Sequence, residues 1–211
     1  MTDEEDVAVL RGAWAATCAV AGVGHADLAF RLLENAYSAP ERYYHNVKHI
    51  ADCLRELSPV RDSCHDAAAV EAALLFHDYV YDPTRHDNEE RSAEEAAMAL
   101  RALGWPGDRT DAVRGLILAT LHASLPLSAD AAVVADIDLA VLGKPQEAFD
   151  DYERAIRREY GHVAEAAFRA GRAEVLRGFL ARPRIYATDS FARRYEMTAR
   201  QNLGRSLSAL S

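Results

Sequence analysis

AAAVEAALLFHDYVYDP, residues 67–83, is the stretch on which the fold turns. Its apolar run AALLF, with no period-two alternation of β-branched residues, predicts a helix from Ala67 to about Tyr81, stopped near Asp82-Pro83. The same Ala-rich helical periodicity continues on both sides. Upstream, Thr2-Asp3-Glu4-Glu5 fits a capping box that opens a helix to about Ala19, broken by Gly22 and Gly24. Residues 26–38 space Leu28, Phe30, Leu32, Leu33 and Tyr37 helically, and Pro40 introduces a helix over Glu41–Leu57 that Ser58-Pro59 stops. Downstream, Asn88 is the expected N-cap of a helix lasting to Leu103, before Gly104-Trp105-Pro106-Gly107. Further helices are expected over Arg109–His122, after Ser128, from Pro145 to about Tyr160, over His162–Ala181 and over Asp189–Leu207, with a turn-like Asp136–Gly143. The expectation is an all-α bundle of about nine or ten helices.

Composition narrows the classes. Half of the 211 residues are apolar and Gly plus Pro number only 18, which excludes collagen-like and disordered chains. No apolar run approaches the ~20 residues that span a bilayer, so no membrane partner is expected. The start is acidic where a leader would be basic, and a cytoplasmic, soluble protein is expected. Cys18, Cys53 and Cys64 are odd in number and lack CxxC spacing, against a disulfide scaffold or a cysteine zinc knuckle. Acidic residues outnumber basic ones 33 to 24, for a net charge of −9, and the C-terminal arginines alternate with carboxylates. A nucleic-acid partner would need a basic stripe, so none is expected.

Histidines and carboxylates cluster. His45 and His49 lie four apart on one expected helix and so share a face. His77-Asp78 ends the AALLF run, His122 closes another helix, and Asp136 and Asp138 flank Ile137. Antiparallel helices can bring such ends around one pocket. Imidazole nitrogen with carboxylate oxygen suits Mn, Fe, Co, Ni or Zn, and a carboxylate-and-water shell suits Mg. Adjacent helical side chains point ~100° apart, so His77 and Asp78 meet at one ion only near the helix axis or at a distortion.

YYHNVKHI, FHD and DIDLAVLG together resemble the HD-domain metal-dependent phosphohydrolase superfamily, whose ligand order is H…HD…D. The likeness is greatest to its small bacterial predicted phosphohydrolases, through RYYHNVKHI (42–50), FHDYVYD (76–82), DNEERSAEEA (87–96), DIDLAVLG (136–143), YERAIRREYGHV (152–163), GRAEVLRGFL (171–180) and ARQNL (199–203). The resemblance implies an HD-type helical bundle forming one domain over 1–211, with a metal-binding core at about 41–143 and helices 145–209 packed on it. It implies His49, His77, Asp78 and Asp138 as metal ligands, with Asp136 the alternative to Asp138. YHNVKH is also similar to the motif of cyclic-nucleotide phosphodiesterases, which makes His45 the general acid. HDYVYD lacks their second His, and no purine-clamping glutamine segment is present, so cyclic nucleotides are not the expected substrate.

The implied activity is metal-dependent hydrolysis of a small phosphate ester, monoester before diester, with one or two divalent ions and a monomeric or homodimeric chain. Asp78 is placed to orient a water or bridge two ions. Arg42, three residues before His45, either forks onto a phosphate or pairs at the surface with Glu41 or Glu34. His122 either binds a second ion, contacts phosphate or metal-bound water, or merely favours a helix dipole. Glu89 is a candidate substrate contact, and with Asp87, Asn88 and Ser92 it otherwise supports the site or forms a lid. Tyr79 and Tyr81 line the cleft or pack. Two rival readings are a metal-stabilised binding module without turnover and an HD-fold di-iron oxygenase.

Overall fold

The computed structural model describes residues 3–24, 27–122 and 127–210. It has ten α-helices: α1 (Asp3–Val20), α2 (Asp27–Tyr37), α3 (Val47–Leu57), α4 (Ala67–Phe76), α5 (Asn88–Leu103), α6 (Gly107–Leu118), α7 (Ala129–Asp138), α8 (Gln146–Glu159), α9 (Glu165–Leu180) and α10 (Asp189–Leu210). Short 3-10 helices cover Ser58–Ser63, Ala119–Leu121 and Leu139–Gly143. The described residues contain no strand, and the chain is an all-α protein. Thr2, on which the first capping box depends, lies outside the described residues.

The chain divides into two compact units, residues 1–135 and 136–211. In the first, α4 is the organising element. From Ala69 to Phe76 all but Glu71 are buried, and the helix packs against α1, α3, α5 and α6. Small alanines let these neighbours approach closely, and Leu74, Leu75 and Phe76 supply the apolar area that makes burial favourable. Asp66 caps α4 by accepting the Ala69 N–H (3.1 Å). The Asp130 carboxylate accepts the N–H groups of His65 and Asp66 at 2.8 Å each, fixing where that cap begins. At the far end of α5, Gly104 adopts φ 93°, the left-handed conformation a helix stop favours in glycine.

In the second unit, α10 packs on α9 and on the Leu139–Gly143 turn. Gly143 has no alternative: a Cβ there would lie 2.5 Å from Tyr195 Cβ and 2.9 Å from its Cα. Asn202 donates to the carbonyls of Leu142 (3.0 Å) and Lys144 (2.9 Å), which satisfies the end of that turn.

Three of the boundaries that differ from the sequence expectation fall at candidate site residues. The helix expected from Glu41 begins only at Val47; α4 ends at Phe76 rather than near Tyr81; and α7 runs through Asp138, where a turn was expected from Asp136.

Candidate metal centre

The late start of α3 has a local cause. Asn46 accepts the N–H groups of Lys48 (3.0 Å) and His49 (3.3 Å), while its amide donates to the Tyr43 carbonyl (3.0 Å). An Asx cap of this kind stops the helix from extending backwards. His45 is therefore in the turn before the cap, not one helical turn below His49 on the same face. Its ring stacks on Tyr81, centroids 4.1 Å apart, and meets His49 edge-on at 5.9 Å.

The early stop of α4 answers the convergence problem posed by adjacent His and Asp. His77 is the C-cap, so Asp78 lies beyond the helix. His77 Nδ1 is 3.0 Å from the Leu74 carbonyl, which only accepts, so Nδ1 carries the proton and Nε2 presents a lone pair. That Nε2 stands 3.1 Å from His49 Nε2. Asp78 Oδ2 lies 3.0 Å from the first nitrogen and 3.3 Å from the second. Donor atoms about 2.0–2.2 Å from a shared ion stand roughly 2.9–3.5 Å apart, so these three are spaced as a set of metal ligands.

Satisfaction of polar groups points the same way. Asp78 Oδ2 is buried and accepts no hydrogen bond, a costly state for a carboxylate unless a cation sits against it. Burial pushes the Asp78 carboxyl up, but the imidazoles of His77, His45 and His49, when protonated, outweigh it and hold the group well below the usual carboxylate range. The anionic form that a cation needs is thus favoured. Cys53, one helical turn after His49, joins the cluster: its Sγ is 3.8 Å from His49 Nε2. Donor atoms of His49, Cys53 and His77 lie within 4.8 Å of one another, a group that could hold a metal ion. Sequence reading passed over Cys53; its signal was the i, i+4 spacing from His49.

Arg42 has a structural commitment that sequence reading did not foresee. It is 8% exposed, and its guanidinium donates to the carbonyls of His45 (3.0 Å), Asp78 (2.6 Å) and Tyr79 (2.8 Å). It also lies over the Tyr37 ring, 5.1 Å from the centroid. This planar fork ties the turn carrying His45 to the turn carrying His77-Asp78. Neither a surface pair with Glu41 or Glu34 nor an unencumbered phosphate fork is what the structure holds. Tyr37 backs the same wall, donating to the Leu75 carbonyl (2.9 Å); burial, then Asp78, pushes its hydroxyl pKa well up.

The segment after Asp78 is braced from α5. Ser92 Oγ accepts the Val80 N–H (3.0 Å) and donates to the Val80 carbonyl (3.2 Å). Asn88 accepts from the Asp82 N–H (3.0 Å) and donates to its carbonyl (2.9 Å). Asn88 is thus a loop brace, with Asp87 in the N-cap position expected for Asn88. Glu89 is half-buried on the first turn of α5, and Tyr79 meets Phe76 edge-on. His122 is half-buried in a left-handed conformation at φ 52°, just past the 3-10 turn that prolongs α6.

The two aspartates after His122 separate cleanly. Asp136 accepts from the backbone N–H groups of Ala187 (2.7 Å) and Thr188 (2.7 Å) and from Thr188 Oγ1 (2.6 Å), so both its oxygens are used. It anchors the approach to α10. Asp138, the last residue of α7, is half-buried in the second unit.

Comparison with family models, with curated proteins and with solved structures found no match. Among the described residues, no helix is long and apolar enough to cross a membrane. What the geometry supports directly is an all-α protein with a buried His/Cys cluster that could hold a metal ion, compatible with a metal-dependent function.

Proposed function

We propose that this chain is a metal-dependent phosphoric ester hydrolase of the HD type, acting on a small phosphate ester, a monoester before a diester. The observation that carries the reading is the buried Asp78 Oδ2, without a hydrogen bond, beside two facing imidazole nitrogens 3.1 Å apart. In this reading His49, His77 and Asp78 hold a divalent ion. Such an ion would supply Lewis acidity toward phosphoryl oxygen and activation of water.

The chain's own residues do the rest. The Leu74 carbonyl fixes the His77 tautomer, so Nε2 stays available as a donor. His45, held against the Tyr81 face, protonates the leaving oxygen when its ring is cationic. Arg42 works through position: its three carbonyl contacts hold His45 and Asp78 in one rigid frame, as a site tolerant of little displacement requires.

Phosphate release from nucleotides and sugar phosphates, measured with Mn, Co, Ni, Zn or Mg in air and under nitrogen, tests the reading. Release that is chelator-sensitive and independent of oxygen is expected. Thermal stabilisation by several phosphate compounds, with no release in any metal, makes the chain a binding module instead. Activity that requires iron and oxygen makes it an oxygenase.

A further inference from the structure

We propose that Tyr81 is a positioning residue for His45: its ring fixes the direction of that imidazole, and Asn88 and Ser92 of α5 hold the ring where it is. The inference rests on the hydrolase reading, in which His45 is the acid, and names what aims it. His45 lies in the turn before the Asn46 cap, so no helix fixes its backbone. A histidine side chain left to itself samples several rotamers about two torsions. The Tyr81 ring lies against its face, with centroids 4.1 Å apart and planes 27° from parallel. Tyr44 closes on the same ring edge-on at 5.0 Å. Stacking engages the face of an imidazole, and both nitrogens are on its edge, so the contact sets where they point without using them.

The tyrosine is itself fixed from both sides. Asn88 and Ser92 are four residues apart on α5 and so share a face. Ser92, with 0% exposure, accepts the Val80 N–H (3.0 Å) and donates to the Val80 carbonyl (3.2 Å). Asn88 does the same for Asp82, at 3.0 and 2.9 Å. The two residues that flank Tyr81 thus have their backbone polar groups bonded to one helix face. The Arg42 guanidinium adds a bond to the Tyr79 carbonyl (2.8 Å) and stands 5.5 Å from the Tyr81 centroid.

Tyr81 is only half-buried, so apolar burial is not what pins it. Its place is inherited from α5 and passes to His45 through the ring contact. Such a chain of restraint suits a general acid, which must stay within hydrogen-bond reach of the leaving oxygen. A misplacement of about 1 Å can cost on the order of 100-fold in rate.

Proton NMR of the full chain reads the stacking without reference to activity. The carbon-bound ring protons of His45, assigned by their loss in His45→Gln, are expected upfield in the wild type, where they lie over an aromatic face. They should move downfield in Tyr81→Leu and stay in place in Tyr81→Phe. In kinetics, Tyr81→Leu should lower kcat for an alkyl phosphate by about 2- to 10-fold, the worth of one aromatic pair. It should change nitrophenyl phosphate by less, leave KM and metal stoichiometry as they were, and be rescued by Tyr81→Phe. Combined with His45→Ala it should cost nothing further, since no imidazole is left to aim. Asn88→Ala, which frees the loop but keeps the ring, should show the same split between leaving groups more weakly, and carries the test if Tyr81→Leu does not fold. His45 protons that do not move in Tyr81→Leu, equal losses for both leaving groups, or a further loss on top of His45→Ala each overturn the positioning role and leave the hydrolase reading standing. No phosphate release by the wild type from any ester with any metal overturns the hydrolase reading and the positioning role with it.

Discussion

Asp78 and Asp136 are two carboxylates near helix C-termini, in different units of the chain, and their surroundings are opposite. Asp136 is 1% exposed and takes three donors, two of them backbone N–H groups, each within 2.7 Å. Burial raises its pKa, and the bonds from Thr188 and Ala187 pull against it. Asp78 has a buried oxygen with no hydrogen bond of regular geometry, and the imidazoles beside it, when protonated, hold it as an anion. A carboxylate whose acceptor capacity is met is fastening the chain. One left unmet beside two imidazole nitrogens is suited to a cation. Both follow an apolar helical run, so the difference lies in what the fold brings to each.

The sharpest way to break this comparison is to neutralise both. Asp78→Asn should abolish metal binding, read by elemental analysis, and with it phosphate release, while the metal-free protein keeps its helical circular dichroism. Asp136→Asn should leave metal stoichiometry intact and instead lower unfolding stability by roughly 1–3 kcal/mol, since an amide NH2 cannot accept from the backbone N–H that one of the oxygens now satisfies. Loss of metal in the Asp136 variant with retention in the Asp78 variant would invert the assignment.

His45 tests whether the unmet carboxylate belongs to a reaction. His45→Ala should retain the metal and lower kcat by roughly 10²–10⁴-fold for poor leaving groups, and by less for nitrophenyl phosphate, whose leaving group needs little protonation. Equal losses for both would assign His45 to phosphate positioning.

Arg42 asks how much of the Asp78 geometry is imposed by its frame. Arg42→Lys keeps the charge but cannot fork onto three carbonyls. Denaturant unfolding should show a loss of about 1–3 kcal/mol, with weaker metal binding alongside. Unchanged metal affinity would mean that the two turns hold their positions without the clamp.

Asp66 lies between the two extremes, a half-exposed cap paired with Arg109 at 2.6 Å. The Arg109 bond, followed by the Ala69 N–H, lowers its pKa against the effect of burial. Its folded value is therefore below the unfolded one of about 3.9; its stabilisation is complete above that pH and is lost as pH falls through the folded value. Asp66→Ala should cost about 1 kcal/mol at neutral pH, the usual worth of an N-cap, and the variant's stability should converge on the wild type in acid.

Much of the fold was legible because helical periodicity and stop signals are local. Gly104 ended α5 where expected, Pro145 preceded α8, and Ala67–Phe76 read as helix from its apolar run alone. The candidate donors His49, His77 and Asp78 were also legible as residue types. Their geometry was not, because it depends on where two helices fail to continue. Asn46 competes with its own helix by capping it, and α4 gives way at His77; neither outcome has a periodic signature.

The sequence by itself therefore determined the all-α class, the helix order and the chemistry available to the chain, since these follow from propensity, periodicity and residue type. Only the tertiary structure decided which groups meet. It spent the Arg42 guanidinium on three carbonyls, used both oxygens of Asp136 on the turn before α10, and left one oxygen of Asp78 facing two imidazoles. The reason is physical: whether a buried polar atom is satisfied depends on partners far away in sequence. His45 and Asp78, 33 residues apart, share one guanidinium; Asp136 and Thr188, 52 apart, share one cap.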